Sequence, residues 1–231
     1  MKTLFTFFLA SVSSFAFAQS AAILSEGAYQ NKTGDIYHLW IFQDEYFSAI
    51  EYSGAHFVRT WGGPYTFENN TLKIEVEYDT QDESHVSATE AIPLHIEKKG
   101  LKAENGLWKK EKTIHQDLDG LWRITGRKQE NSTEIGSIPK GDRKTIKILS
   151  DGYFQWIAIN PAEKGFYGTG GGKYTFKNGV YTEEILFFSR DDSRVGHTLT
   201  FDGKLENRNS WHHSGLSSKG DPIYEIWDRE R

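Results

Sequence analysis

The residues that offer chemistry lie in the second half of the chain. In Tyr181-Thr182-Glu183-Glu184-Ile185-Leu186-Phe187, alternate positions are large and apolar, except that one of them is Glu183. Side chains of a strand alternate between its faces, so Tyr181, Glu183, Ile185 and Phe187 share one. A buried carboxylate is costly unless it is paired, hydrogen-bonded or protonated, which marks Glu183 as a candidate for binding or proton transfer. The bland alternative places it at a rim in reach of water, with Glu184 on the outer face. His197 alternates with Leu199 and Phe201 and shares their face. A buried Glu of raised pKa beside a His poised near neutrality suits general acid–base work. Phe154 with Trp156, and Tyr174 with Phe176, supply aromatic faces on two further strands, and Trp211 between Ser210 and His212 reads as a loop residue over a mouth. Aromatic walls with a few polar groups describe a small-molecule cavity, and equally a filled core.

Other chemistries find no support. The chain has no cysteine, so thiolate metal sites, cysteine nucleophiles and disulfides are excluded. Gly168-Thr169-Gly170-Gly171-Gly172-Lys173 fails as a phosphate loop: Tyr174 follows the lysine, and Tyr167 stands where the first glycine belongs. It reads instead as a hairpin or bulge entering a strand. Of the 8 histidines, His212 and His213 are adjacent and point to opposite faces of a strand, so no metal site is assigned. No cofactor is expected. Asn31-Lys32-Thr33, Asn69-Asn70-Thr71 and Asn131-Ser132-Thr133 match the glycosylation pattern and are read as turn residues.

The elements that position these groups repeat. Gly27-Ala28-Tyr29 matches Gly120-Leu121-Trp122, and Asp44-Glu45-Tyr46-Phe47 matches Asp151-Gly152-Tyr153-Phe154. Gly62-Gly63-Pro64-Tyr65-Thr66-Phe67 matches Gly171-Gly172-Lys173-Tyr174-Thr175-Phe176, and Trp108 matches Trp227. The order is the same in both halves, which predicts a tandem duplication over residues 25–113 and 120–231, joined by 113–119. Leu72, Ile74, Val76 and Tyr78 alternate with Lys73, Glu75 and Glu77, the period of a half-buried strand. Asn69-Asn70, Asn178-Gly179, Asp151-Gly152 and Asp202-Gly203 are read as hairpin turns. The prediction is all-β: two antiparallel up-and-down β-barrels of about eight strands each, with a β-sandwich as the alternative.

The Gly-x-aromatic openings and the Trp-x-basic strand near the end resemble the lipocalin (calycin) pattern, as found in lipocalin-like domains of secreted bacterial proteins. The resemblance implies a barrel that holds a ligand, not a reaction. It also implies that Trp122 with Arg229 closes the second barrel's floor, and Tyr29 with Lys110 the degenerate first. Aligning Tyr65 with Tyr174 puts Ile74 opposite Glu183. A ligand is therefore expected in the second barrel, among Phe154, Trp156, Tyr174, Glu183, Phe187, His197 and Trp211. Glu183→Ile is expected to raise stability while abolishing binding. The alternative is a hydratase, isomerase or lyase using Glu183 and His197, and a weaker third is an adaptor acting through its outer surface.

Residues 1–18 read as a signal peptide: Lys2, the apolar run Leu4 to Phe17, then Ala16-Phe17-Ala18 as a cleavage pattern. The run is too short to span a bilayer. The expectation is an exported protein, periplasmic or extracellular. With 27 Lys plus Arg against 32 Asp plus Glu and a formal charge of −5, the chain has no electrostatic footprint for nucleic acid. A small molecule is the expected partner.

Overall fold

A computed structural model describes residues 23–128, 134–217 and 219–230; the expected signal peptide and Asn131-Ser132-Thr133 lie outside the described residues. The first sheet holds β1 (Gly27–Thr33), β2 (Ile36–Gln43), β3 (Tyr46–Ser53), β4 (His56–Glu68), β5 (Thr71–Glu75), β6 (Tyr78–Asp79), β7 (Thr89–Pro93), β8 (His95–Glu97), β9 (Gly100–Ala103) and β10 (Gly106–Lys110). Its order is β7-β5-β4-β3-β2-β1-β10-β9-β8, with β6 on β4, a nearly closed barrel. The second holds β11 (Gly120–Lys128), β12 (Ile135–Ser137), β13 (Lys144–Ser150), β14 (Tyr153–Asn160), β15 (Gly165–Lys177), β16 (Val180–Phe188), β17 (Thr198–Glu206), β18 (Ser210–Leu216) and β19 (Pro222–Arg229). Pairing of β11 with β19 closes it, and β12 is a short addition to β11. Every strand pair is antiparallel, so the all-β, tandem-barrel expectation holds. Among the described residues no helix is long and apolar enough to cross a membrane.

Local chemistry sets the turns. Asp44-Glu45, Asn69-Asn70, Asp151-Gly152 and Asn178-Gly179 all have positive φ at both positions, the backbone of a tight two-residue hairpin. Asp202-Gly203 is not a turn: both residues lie inside β17, and the chain reverses at Asn207-Arg208. Gly203 serves close packing instead, since a Cβ there would lie 2.8 Å from the Phe176 ring and 3.2 Å from Trp211 Nε1. The glycine run is strand, as expected. In β15, a Cβ on Gly172 would meet the Glu184 carbonyl oxygen at 2.0 Å, and its counterpart Gly63 in β4 meets the Glu75 oxygen at 1.9 Å. At these glycines β15 shifts its register on β16, and β4 passes from its pairing with β6 at Gly62 to that with β5 at Tyr65.

Three apolar clusters form. One lies inside each barrel, and the third lies between the barrels, where Leu39, Ile41, Ile50 and Tyr52 meet Ile146, Ile148, Ile157 and Phe187. Repeat-equivalent residues face each other across this joint. Asp44 Oδ2 accepts from the Leu121 N–H at 2.8 Å, and Asp151 Oδ2 from the Ala28 N–H at 3.4 Å. At its centre the Gln155 amide donates to Thr60 Oγ1 and Thr169 Oγ1, both at 3.0 Å, and accepts from Ser48 Oγ.

Candidate functional site

The floors of the two barrels are built alike. The Arg229 guanidinium lies 4.3 Å from the Trp122 ring centre and donates to the Asp119 carbonyl at 2.8 Å. In the first barrel Lys110 Nζ lies 5.6 Å from the Tyr29 ring centre. Both pairs are cross-strand partners, Trp122 with Arg229 and Tyr29 with Lys110. Above the floors the interiors differ.

The second barrel is filled. Glu183 is 5% exposed and paired with Lys147, whose Nζ lies 3.0 Å from Glu183 Oε1. That ammonium also sits 5.0–5.7 Å from the ring centres of Phe154, Tyr181, Trp211 and Trp227, so aromatic faces replace the water it has lost. Further along, Glu225 accepts from Trp227 Nε1 at 3.1 Å and is held by Arg127. Burial works to raise the Glu225 carboxyl, but the facing His213 and Arg127 outweigh it and hold it down to about 2. His213 is 2% exposed, with Nδ1 3.6 Å from Glu225 Oε2; burial lowers its pKa, and the nearby Lys147 charge adds to this. Burial, with the Glu183 charge, pushes the Tyr181 hydroxyl well up.

This interior changes the roles expected from sequence. Phe154, Tyr174 and Glu183 are buried interior residues, but Glu183 spends its charge on Lys147. Tyr174 donates its hydroxyl to Asp119 near the floor. Trp211 is not a loop residue over a mouth: it lies in β18 and is fully buried, against Tyr181 at 4.8 Å between ring centres. Phe187 does not wall the interior. A bulge pairs Gly172 with Ile185 but Gly171 with Phe187, and the extra residue re-aims Phe187 into the joint between barrels, 5.7 Å from Tyr52. Trp156 is half-buried against Phe188. His197 precedes β17 and its side chain is exposed; only its carbonyl takes part in the sheet, accepting from the Ile185 N–H at 3.0 Å. Glu183 and His197 are therefore not an acid–base pair. His212 and His213 do point opposite ways, His212 bonding Tyr224 Oη at 2.7 Å outside the buried interior.

An open space lies in the first barrel. A cavity of about 520 Å³ is lined by His38 and Trp40 of β2, Ala49 and Glu51 of β3, Trp61 of β4, Ile92 of β7, Ala103 of β9 and Trp108 of β10, with Glu104 and Asn105 at the rim. Trp40 and Trp108 stack with ring centres 3.6 Å apart and planes at 18°. The Trp108 indole N–H donates to Asn105 Oδ1 at 3.0 Å, which ties the β9–β10 turn to the wall. Trp61 is held between Phe47, at 5.3 Å, and His85, at 5.2 Å. His85 in turn engages Asp79, which Arg59 also binds. Burial favours the neutral Asp79 carboxyl, but Arg59, the Gln81 N–H and His85 together lower its pKa. His38 and Glu51 face each other across β2 and β3, Nδ1 to Oε1 3.8 Å.

None of these lining residues stands out in the sequence by motif. Their signal is volume: the inward positions of the first half carry Ile92, Leu101 and Ala103 where the register places Phe201, Trp211 and His213 in the second. The strand from Leu72 to Tyr78 and its counterpart from Tyr181 to Phe187 differ by a carboxylate, whereas the difference in bulk lies on other strands.

No protein-family profile matches the chain, and none of the curated proteins does. Among solved structures the chain is similar to a lipocalin-like protein from Bacteroides uniformis, at 17% identity with a TM-score of 0.35. The match covers 50% of this chain and 100% of that one.

Proposed function

We propose that the chain is an exported binding protein that holds a small, partly apolar molecule in the open end of the first barrel, the second barrel being a packed scaffold. The observation that carries this reading is the cavity of about 520 Å³ walled by Trp40, Trp61 and Trp108, with polar groups confined to His38, Glu51, Glu104 and Asn105. That volume and that mix of apolar wall and few polar groups are those of small-molecule sites. Export rests on the sequence of residues 1–18. Native mass spectrometry of the chain purified from its own host tests the binding role. A retained small molecule is expected, and Ala103→Phe, which puts a ring into the cavity as His213 does in the second barrel, should release it. Equal retention by the folded variant removes the first barrel as the site. N-terminal sequencing of the same material should begin at Gln19; an intact Met1 overturns export.

A further inference from the structure

We propose that the molecule held by the first barrel carries a positively charged end, an organic ammonium or guanidinium group, beside its apolar body. This rests on the reading of that cavity as a ligand site and adds the charge of what fills it. The charged groups that line the cavity are two carboxylates, Glu51 and Glu104, and neither lysine nor arginine lines it. Among the described residues no donor reaches either carboxylate within hydrogen-bond distance, and the nearest partner of Glu51 is His38 at 3.8 Å. Arg59 stands opposite Glu51 in the register of β3 and β4 and feels its charge, but directs its hydrogen bonds to Asp79. Its Nε donates to Asp79 Oδ1 at 3.0 Å and its Nη2 to Asp79 Oδ2. Asp79 itself is a buried anion that uses up both Arg59 and the Nδ1 of His85, at 2.8 Å.

Trp61, the partly exposed indole of the wall, completes the arrangement, while Trp40 and Trp108 stack on each other behind it. Indole faces are electron-rich and attract a cation within about 6 Å of the ring centre. Carboxylates with free acceptor capacity then form charge-assisted hydrogen bonds to an ammonium or guanidinium N–H, or attract a quaternary ammonium by charge alone. A ligand carboxylate or phosphate in the same place would meet two like charges with no cation lining the wall to neutralise it.

The test is a tryptophan-fluorescence titration of the full chain with three probes of equal chain length: octyltrimethylammonium, 1-octanol and octyl sulfate. The ammonium is expected to bind saturably and about tenfold or more tighter than the alcohol, with the sulfate weakest. Glu51→Gln combined with Glu104→Gln should bring the ammonium affinity down to that of the alcohol and leave the alcohol unchanged. Alcohol or sulfate binding as tightly as the ammonium, with all binding lost in Ala103→Phe, overturns the charge assignment and leaves the cavity as a site. Ammonium binding that survives Ala103→Phe, or no binding of any of the three probes, overturns the charge assignment together with the cavity reading on which it rests.

Discussion

The two barrels solve the same problem at the same positions with opposite chemistry. On the β2/β13 strand, Trp40 of the first barrel corresponds to Lys147 of the second, through their partners Tyr29 and Trp122. Trp40 stacks on Trp108 at 3.6 Å, and Lys147 lies 5.0 Å from the equivalent Trp227. On the next pair of strands Ala49 faces Trp61, whereas Trp156 faces Gly170, so large and small exchange sides. The first barrel then has Ile92, Leu101 and Ala103 where the second has Phe201, Trp211 and His213. The first keeps open space behind stacked indoles. The second closes that space with rings and must bury an ammonium, two carboxylates and an imidazole to do so. Openness in one barrel and a buried charge network in the other are thus alternative ways of finishing the same barrel interior.

The sharpest way to break this comparison is to give the second barrel the first barrel's residue. Glu183→Ile reproduces Ile74, and from sequence alone it promises a gain in stability. With Lys147 in place the sign reverses, because the ammonium is left buried without its carboxylate. Removing one partner of a buried ion pair typically costs about 3–5 kcal/mol, and replacing both with apolar groups is often near neutral. Glu183→Ile should therefore lower the denaturant midpoint sharply, and Lys147→Leu with Glu183→Ile should recover most of the loss. A single variant as stable as the parent would mean that the four rings and solvent suffice for Lys147.

A smaller effect tests whether the joint treats the halves as equals. Asp44 caps the start of β11 and Asp151 the start of β1, each across the interface. Asp151 also accepts from the Ile114 N–H at 3.3 Å, while Asp44 is approached by Arg229 at 4.0 Å. A hydrogen bond to a charged group is worth about 1.5–3 kcal/mol, so Asp44→Ala and Asp151→Ala should each cost an amount in that range by urea unfolding. The shorter bond of Asp44, 2.8 Å against 3.4 Å, predicts the larger loss there. Equal stability of both variants and parent would remove the reciprocal caps from the account of how the barrels join.

The fold was largely legible because its signals are periodic and repeated. Alternation along Leu72 to Tyr78, paired Asx turns and ordered matches between halves each depend on a few neighbouring residues. The site was much less so, because it depends on what stands across the barrel. Glu183 announces itself as a carboxylate on an apolar face, but its partner Lys147 lies on β13, in a run where lysine looks like an ordinary outward residue. The bulge that turns Phe187 out of the interior comes from a register shift opposite two glycines, and strict alternation cannot see it. His197 fails for a simpler reason: the strand starts one residue later, at the barrel's end, where the side chain reaches water. The cavity itself is an absence of bulk spread over six strands, and no single segment of sequence records it.

The smallest expected effect concerns pH, and it separates the barrels because the inward position of His213 is Ala103 in the first. His213 faces Lys147 from β13, Glu183 and Tyr181 from β16 and Glu225 from β19, and burial lowers its pKa in the folded chain. A histidine with a depressed folded pKa binds its proton more readily when unfolded. Stability is then lost as pH falls below the unfolded value of about 6.5, by at most about 1.4 kcal/mol per pH unit. Glu225 has the usual carboxylate sign: its contribution is complete above about 4.5 and fades as pH falls toward about 2. Between pH 6.5 and 5 the histidine therefore acts with little interference from Glu225. Urea unfolding across that window should show stability falling with pH in the parent and a flatter profile in His213→Phe, with Arg127 and Trp227 still holding Glu225. An unchanged slope in the variant would place the proton uptake on a group other than His213.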